Sequence, residues 1–204
     1  MRRTLAAELA IVGISIGATA LASDALDIGP LLTRAPLVCG SFSQSKTLKA
    51  LTRPLVSNGR VIFAAGTGVL WKITSPFPSQ VLVKADALIR WDNDNQPKRT
   101  GLGQTPQFRA LSDVFLAVFA GDTSRLAASF DTRASIDSDR WSLDLTPRDK
   151  DFASRISKIY VAGGQFVEEL RINEPQGDRT EIRFNQFTAD SCVLSNSEKG
   201  SLAH

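Results

Sequence analysis

Apolar and polar residues alternate along several short stretches of this chain. Over residues 141–146 the odd positions are Trp, Leu and Leu, and the even positions are Ser, Asp and Thr. Residues 69–74 follow the same pattern, with Val, Trp and Ile at the odd positions. A period of two is typical of a strand that buries one face and exposes the other. The pattern therefore predicts a sheet with one apolar face.

About ten strands of this kind are predicted, separated by clusters of glycine, proline, asparagine and aspartate. They cover residues 37–48, 55–64, 68–74, 80–85, 88–92, 125–131, 140–145, 156–162, 166–172 and 179–187. Strands that follow one another at such short spacing favour antiparallel pairing through hairpins. The sequence therefore predicts an antiparallel meander.

Residues 106–120 carry the strongest helix pattern. Thr105 is a candidate N-cap before Pro106 at the first helical position, and Gly121 would end the helix. The apolar residues cover most of its circumference: Phe108, Leu111, Val114, Phe115, Leu116, Val118 and Phe119. Such a helix cannot leave its outer half in water. It is either a core helix or a lid whose second face contacts a bound molecule.

The predicted helices are too few to cover the predicted sheet. Apart from 106–120, only residues 25–35 suggest a helix, and it is interrupted by Pro30 and stopped by Pro36. Burying one large apolar side chain contributes ~1.5 to 3 kcal/mol, so the apolar side of the strands will not stay in water. We therefore predict a mainly β (α+β) fold: a single curved antiparallel sheet that forms an unclosed barrel with a helical lid over an apolar cavity. A solidly packed barrel or sandwich is the alternative.

The first residues have the pattern of an export signal. Arg2 and Arg3 precede an apolar run from position 9 to 21, and Ala20-Leu21-Ala22 matches the small-x-small pattern of a signal-peptidase site. We expect residues 1–22 to be a cleaved signal peptide and residues 23–204 to form one exported domain. A membrane anchor is the alternative, although the run is shorter than the ~20 residues that span a bilayer.

The charge of the chain gives only weak information about its partners. The net charge is +3, and the basic residues are scattered singly rather than clustered. Nucleic-acid binding is therefore not expected. Contact with an anionic membrane surface stays open, although solvated strand faces would explain the same charges.

Two cysteines, Cys39 and Cys192, lie near opposite ends of the expected mature domain. An exported chain can keep such a pair oxidised, and a bridge between them would tie the first strand to the C-terminal segment. Two unpaired buried thiols are the alternative.

The sequence offers little catalytic chemistry. Its one histidine, His204, is the last residue, which argues against a Ser-His-Asp triad and against a histidine-based zinc site. No Gly-x-Ser-x-Gly elbow is present, and Gly66-Thr67-Gly68 lacks the third glycine of a dinucleotide loop. We expect neither an enzyme nor a bound metal or cofactor.

Several short motifs, spread over nearly the whole expected mature chain, resemble the LolA family of periplasmic carriers of outer-membrane lipoproteins. The motifs are Phe42-Ser43-Gln44 with Lys46, residues 59–63, Trp71 with Pro76 five positions later, residues 81–91, and residues 141–147 ending in Leu-x-Pro. One feature departs from the family. Its carrier has an Arg-Pro pair before the tryptophan strand, with an arginine linked to lid closure and cargo handover, whereas this chain has Ala64-Ala65-Gly66-Thr67.

The resemblance implies an unclosed barrel whose mouth is plugged by helices and which carries acyl chains through the periplasm without catalysis. The candidate residues for the cavity wall and lid are Phe42, Trp71, Ile73, Val83, Trp91, Leu111, Phe115, Phe119, Trp141 and Leu143. The expected cargo is a lipoprotein or a glycolipid, taken from an inner-membrane exporter and passed to an outer-membrane acceptor by a monomeric carrier. A non-catalytic envelope module that binds another protein is the alternative function.

Overall fold

The computed structural model describes residues 28–91, 96–101, 106–120, 123–189 and 191–204. The predicted signal peptide, the cap Thr105 and the stop Gly121 lie outside these ranges. Among the described residues, no helix has both the length and the apolar character needed to span a bilayer.

The described strands form one antiparallel sheet that does not close on itself, as the sequence predicts. The strands are β1 (Leu37–Thr47), β2 (Leu55–Ala64), β3 (Gly68–Ser75), β4 (Ser79–Val83), β5 (Ala87–Trp91), β6 (Pro97–Gly101), β7 (Phe130–Asp137), β8 (Arg140–Pro147), β9 (Lys158–Gly163), β10 (Val167–Asn173) and β11 (Arg179–Thr188). Their order in the sheet is β6-β5-β4-β3-β2-β1-β11-β10-β9-β8-β7. Strands β6 and β7 are therefore its two edges.

The helices in the described ranges are few. They are α1 (Pro106–Ala120), α2 (Leu126–Ser129), α3 (Lys150–Ala153) and α4 (Asn196–Leu202), with 3-10 turns at Gly29–Leu31 and Thr123–Arg125. Helix α1 has the predicted bounds. The helix predicted over 25–35 is reduced to the 3-10 turn within the described part of that range.

The structure corrects the strand predicted over residues 125–131. Arg125 belongs to a 3-10 turn, residues 126–129 form α2, and β7 begins only at Phe130. Leu126 and Phe130 are both buried. Leu126 reaches the core from α2, and Phe130 does so as the first residue of β7.

The sheet is apolar on both faces over β2, β3 and β4, which differs from the single apolar face predicted. Residues 61–63, 69–71 and 82–83 are buried at every position, and Val81 is partly buried. We call the side that packs on α1 the helix face, and the opposite side the back face. The back face carries a separate cluster of buried residues: Cys39, Ile62, Leu70, Leu82 and Ile89.

The C-terminal segment covers the back face. Helix α4 contacts β3, and Leu194 and Leu202 pack against the back-face cluster. Cys39 and Cys192 form a disulfide with a Cα–Cα distance of 5.4 Å. The bridge is thus present, and it joins β1 to the segment that leads into α4.

The buried carboxylate of Glu198 also attaches the C-terminal segment to the sheet through polar contacts. Glu198 and Ser195 form a capping box at the start of α4, and Oε1 of Glu198 lies 3.6 Å from Nε of Arg60 and 3.7 Å from Nζ of Lys72. Burial alone would raise the pKa of Glu198, but its hydrogen bonds with Ser195 and the two cations outweigh that effect and hold the pKa below its ordinary value. The ionised carboxylate therefore stabilises the fold.

Replacing Glu198 by glutamine is expected to lower the free energy of unfolding at pH 7 by about 1 to 3 kcal/mol, because two cations lose their partner. A carboxylate with a depressed pKa contributes its stability above the ordinary glutamate value of 4.5 and loses it as the pH falls through the folded-state value. The difference between wild type and variant should therefore shrink below about pH 4.5. Urea unfolding from pH 3 to 8 measures it, and a difference that stays constant over this range would contradict the assignment.

Candidate ligand pocket beside helix α1

Aromatic rings occupy the space between the described part of α1 and the sheet. The ring of Trp71 on β3 stacks on Phe42 of β1 with a centroid distance of 3.8 Å. The same indole meets Phe115 of α1 edge-on at 5.5 Å and Phe184 of β11 at 5.9 Å. These contacts place Trp71 at the centre of an aromatic cluster that joins α1 to the sheet.

Helix α1 closes the helix face as a lid. Val114, Ala117 and Val118 are buried, and they belong to the same cluster as Trp71. Phe115 and Leu116 are only partly buried and pack against the edge of this cluster. The described apolar side chains of α1 thus pack on the helix-face core, either within it or at its margin.

An open pocket of about 570 Å³ lies beside the C-terminal half of α1. Its wall is mostly apolar, with contributions from α1, from the segment before β1, from the β2–β3 turn and from the β4–β5 turn. The main apolar side chains are Pro36, Phe63, Leu116 and Phe119. A volume of this size falls within the range that small-molecule and acyl ligands occupy in proteins.

Small residues make room for the pocket at the β2–β3 turn. Ala65, Gly66, Thr67 and Gly68 all line it. Gly66 has a φ of 75°, and Gly68 has a φ of 142° and approaches the carbonyl oxygen of Val83 so closely that a Cβ would lie 2.1 Å from it. Glycine is therefore required at position 68. The segment that departs from the family pattern in sequence is part of the pocket wall.

Two arginines bring positive charge to the pocket. Arg34 lies on the segment before β1 and Arg125 follows α1, and both line the pocket. Arg125 also acts electrostatically on Asp113 of α1. Burial raises the pKa of Asp113, and the nearby Arg109 and Arg125 oppose that rise. The pocket thus combines an apolar wall with a cationic element near α1.

Most of the candidate lipid-binding residues lie in the core rather than at the pocket. Phe119 lines the pocket. Phe42, Trp71, Val83, Trp141 and Leu143 are buried in the helix-face core, and Ile73 and Phe115 pack against it. The side chain of Leu111 lies outside the described part of the structure. A role of these residues in binding cargo stays a prediction.

Trp91 does not join the other candidates. It packs on the back face beside Cys39, and its ring lies 5.8 Å from that of His204. On β5, Leu88 is the residue that packs on the helix face, because alternate residues of a strand point to opposite sides. Trp91 therefore does not lie on the helix face, where the other candidates for the cavity wall lie.

Sequence reasoning did not identify Arg34, Pro36, Phe63 or Arg125 as pocket residues. Arg34 lies in the helix predicted over residues 25–35, Pro36 is the residue that was expected to end it, and Arg125 lies in a predicted strand. None of these elements indicated a pocket. The one sequence signal for the pocket was the run of small residues at 64–67, most of which line it. Such a run has no periodicity that would mark it as a pocket wall.

Comparisons with known proteins agree with the geometry. Residues 36–196 match the family model described as outer membrane lipoprotein carrier protein LolA. An outer-membrane lipoprotein carrier protein from Pseudomonas entomophila (strain L48) is 21% identical over 199 residues, covering 94% of this chain and 91% of that protein.

Two solved structures align with this chain over most of its length. A LolA superfamily protein from Nitrosomonas europaea aligns with a TM-score of 0.42 and 12% identity, over 84% of this chain and 93% of that one. A DUF1329 family protein from Desulfovibrio piger ATCC 29098 aligns with a TM-score of 0.47 and 11% identity, over 83% and 93%.

Proposed function

This chain belongs to the LolA family of outer membrane lipoprotein carrier proteins, and from that membership we propose that it binds the acyl chains of a lipoprotein or glycolipid and carries them across the periplasm from the inner membrane towards the outer membrane. The single observation that supports this best is the apolar pocket beside α1. It lies where the lid, the sheet and the segment before β1 meet.

The pocket suits the end of a hydrocarbon chain. Phe63, Leu116 and Phe119 offer apolar surface at its wall, and each methylene group that leaves water contributes about 0.8 kcal/mol. A polar group held against these three side chains would lose its hydration without gaining hydrogen bonds from them. The pocket therefore selects for an acyl tail.

Binding of a whole acyl chain requires α1 to move. The structure represents a closed state, since the aromatic cluster around Trp71 fills the space beneath the lid. An acyl chain that enters at the pocket and replaces the contacts of Phe115 and Trp71 would shift the population towards an open lid. Release follows the reverse path, because α1 recovers its own contacts with the sheet.

The head group of the cargo is expected near Arg34 and Arg125. Guanidinium groups bind phosphates and carboxylates through paired hydrogen bonds, so an anionic head group is favoured at the pocket mouth. The exporter that delivers the cargo and the acceptor that receives it would approach this same end, because α1 must open there.

Replacing Leu116 by aspartate is expected to weaken the binding of a fluorescent fatty-acid probe about tenfold or more, the equivalent of about 1.4 kcal/mol. The reason is that a carboxylate at the pocket wall would lose its hydration when an apolar tail packs against it. The same carboxylate would also repel an anionic head group. Probe titration followed by fluorescence measures the effect. Val193→Asp is the matched control, because Val193 is an exposed valine away from the pocket, and it should bind as the wild type does.

Native mass spectrometry of the protein purified without detergent gives an independent test. Co-purified acylated molecules are the expected result. A clean mass in repeated preparations, together with a probe affinity that Leu116→Asp leaves unchanged, would contradict the carrier and favour an envelope module that binds another protein.

A further inference from the structure

Exposed apolar side chains are concentrated at one end of the sheet. Among the described residues, the large apolar side chains that stay exposed are Leu51, Leu55, Val56, Phe77 and Val193, with exposed fractions of 46, 51, 50, 82 and 78%. The first four lie on, or directly beside, the two hairpin turns β1–β2 and β3–β4, with Leu55 and Val56 at the start of β2. We call these two turns, residues 48–56 and 75–79, the hairpin end. Only Val193 lies elsewhere, in the C-terminal segment.

The two turns are neighbours in the sheet. Leu55 at the start of β2 pairs with Lys46 near the end of β1, and Asn58 of β2 pairs with Ser75 at the end of β3. The hydroxyl of Thr74 donates to the carbonyl oxygen of Asn58 at 3.1 Å. Both turns therefore project side by side from the same end of the strands.

The hairpin end itself carries positive charge. Residues 48–56 and 75–79 contain Lys49 and Arg53 and no Asp or Glu, and Lys46 lies next to them near the end of β1. Lys49 and Arg53 flank Leu51 and are both exposed. Neither makes a salt bridge with another described residue.

Two acidic residues from the neighbouring β10–β11 connection reach this region. Glu174 pairs with Lys46 at 3.6 Å, and Asp178 accepts a hydrogen bond from the backbone N–H of Lys49 at 2.7 Å. Both contacts lie on the β11 side of β1. The exposed apolar residues of the β1–β2 turn thus face outward between cations.

We propose that the hairpin end docks this protein on a phospholipid bilayer that carries anionic head groups. Leu51, Leu55 and Phe77 enter the interfacial region, and Lys49 and Arg53 contact lipid phosphates. Apolar residues next to lysine and arginine are the combination that binds reversibly to anionic lipid surfaces.

A lipid surface fits these residues better than a protein does. A stable protein interface needs roughly 800 Å² per partner with a shape-matched core, whereas the hairpin end offers separate side chains on two protruding turns. A fluid bilayer adapts to such protrusions without a matching shape. Phe77 lies between Pro76 and Pro78, and proline limits the entropy that a docking turn loses.

The hairpin end lies opposite the ligand pocket. Strand β2 runs from Leu55 at the hairpin end to Ala64 next to the pocket, a distance of roughly 30 Å at 3.3 Å per residue. Docking would therefore leave the pocket mouth pointing away from the bilayer. This inference goes beyond the proposed carrier function and does not depend on it.

Co-sedimentation with vesicles tests the proposal. The full purified protein should bind vesicles of phosphatidylcholine and phosphatidylglycerol, bind pure phosphatidylcholine vesicles weakly, and lose binding as salt is raised. Phe77→Ser should lower the apparent vesicle affinity about fivefold or more, and Lys49→Gln with Arg53→Gln should remove most of the preference for phosphatidylglycerol.

Val193→Ser is the control, since it removes an equally exposed apolar side chain from another part of the surface. It should leave vesicle binding unchanged, and circular dichroism should show that every variant is folded. Absence of wild-type binding to phosphatidylglycerol vesicles, or an equal loss in Val193→Ser, would overturn the proposal. The acyl-probe affinity of Phe77→Ser should equal that of the wild type, so the result is separable from the carrier function.

Discussion

Replacing Cys39 and Cys192 together by serine is expected to lower the free energy of unfolding by about 4 to 5 kcal/mol. The bridge joins residues 153 positions apart, and opening so long a loop increases the conformational entropy of the unfolded chain. The segment that it holds also covers the back-face cluster of Ile62, Leu70 and Leu82. Loss of the bridge therefore weakens the attachment of α4 as well as the fold as a whole.

Urea unfolding of three samples measures this effect: oxidised wild type, reduced wild type and the double-serine variant. The last two should unfold at the same lower urea concentration. Relative to the oxidised wild type, amide hydrogen exchange in the double-serine variant should accelerate more in residues 191–204 than in β9 and β10. A double-serine variant as stable as the oxidised wild type would contradict a role of the bridge in stability.

Replacing Trp71 by alanine is expected to lower the free energy of unfolding by about 3 to 5 kcal/mol. Trp71 contacts Phe42, Phe115 and Phe184, so truncation leaves a cavity between the lid and the sheet. Because Phe115 belongs to α1, the lid loses its main aromatic contact with β3. Exchange of the amide hydrogens of α1 should therefore accelerate more than that of the strands.

Trp91→Ala is the matched control for this prediction. Trp91 lies on the back face and is only partly buried, so its truncation should cost less stability and leave exchange in α1 unchanged. Hydrogen exchange read by mass spectrometry compares the two variants. Equal acceleration of α1 in both, or none in Trp71→Ala, would contradict the view that Trp71 fastens the lid.

The sequence predicts most of the sheet because strand alternation is a local property. Residues 141–146 and 69–74 show it directly, and both lie within strands of the structure. It fails for β6, whose five residues are all exposed although the strand pairs with β5. No pattern of buried side chains marks such a strand.

The back face was missed for a different reason. Residues 61–63, 69–71 and 81–83 are apolar at every position, which is the pattern of strands covered on both sides. Residues 69–74 also fit an alternating pattern, which hides the second apolar face that Leu70 provides. The capping box of Ser195 and Glu198 starts helix α4, and the role of the buried Glu198 carboxylate can be understood only once Arg60 and Lys72 are placed beside it.

The pocket could be predicted only in part. Phe119 follows from the apolar circumference of α1, and the family resemblance indicates a lid over the sheet. The position of the open space beside α1, rather than beneath it, depends on how the aromatic rings of Phe42, Trp71 and Phe115 pack together. Contacts between residues so far apart in sequence leave no trace in local patterns.

An open sheet has two free borders, and the composition of β6 protects one of them. Pro97 has no N–H group to donate, and Lys98 and Arg99 follow it directly. A second copy that extended the sheet along β6 would bring the lysines and arginines of both copies close together, and like charges across paired strands are unfavourable. The sheet can therefore stay unclosed at its β6 border without pairing there with a second copy of the chain.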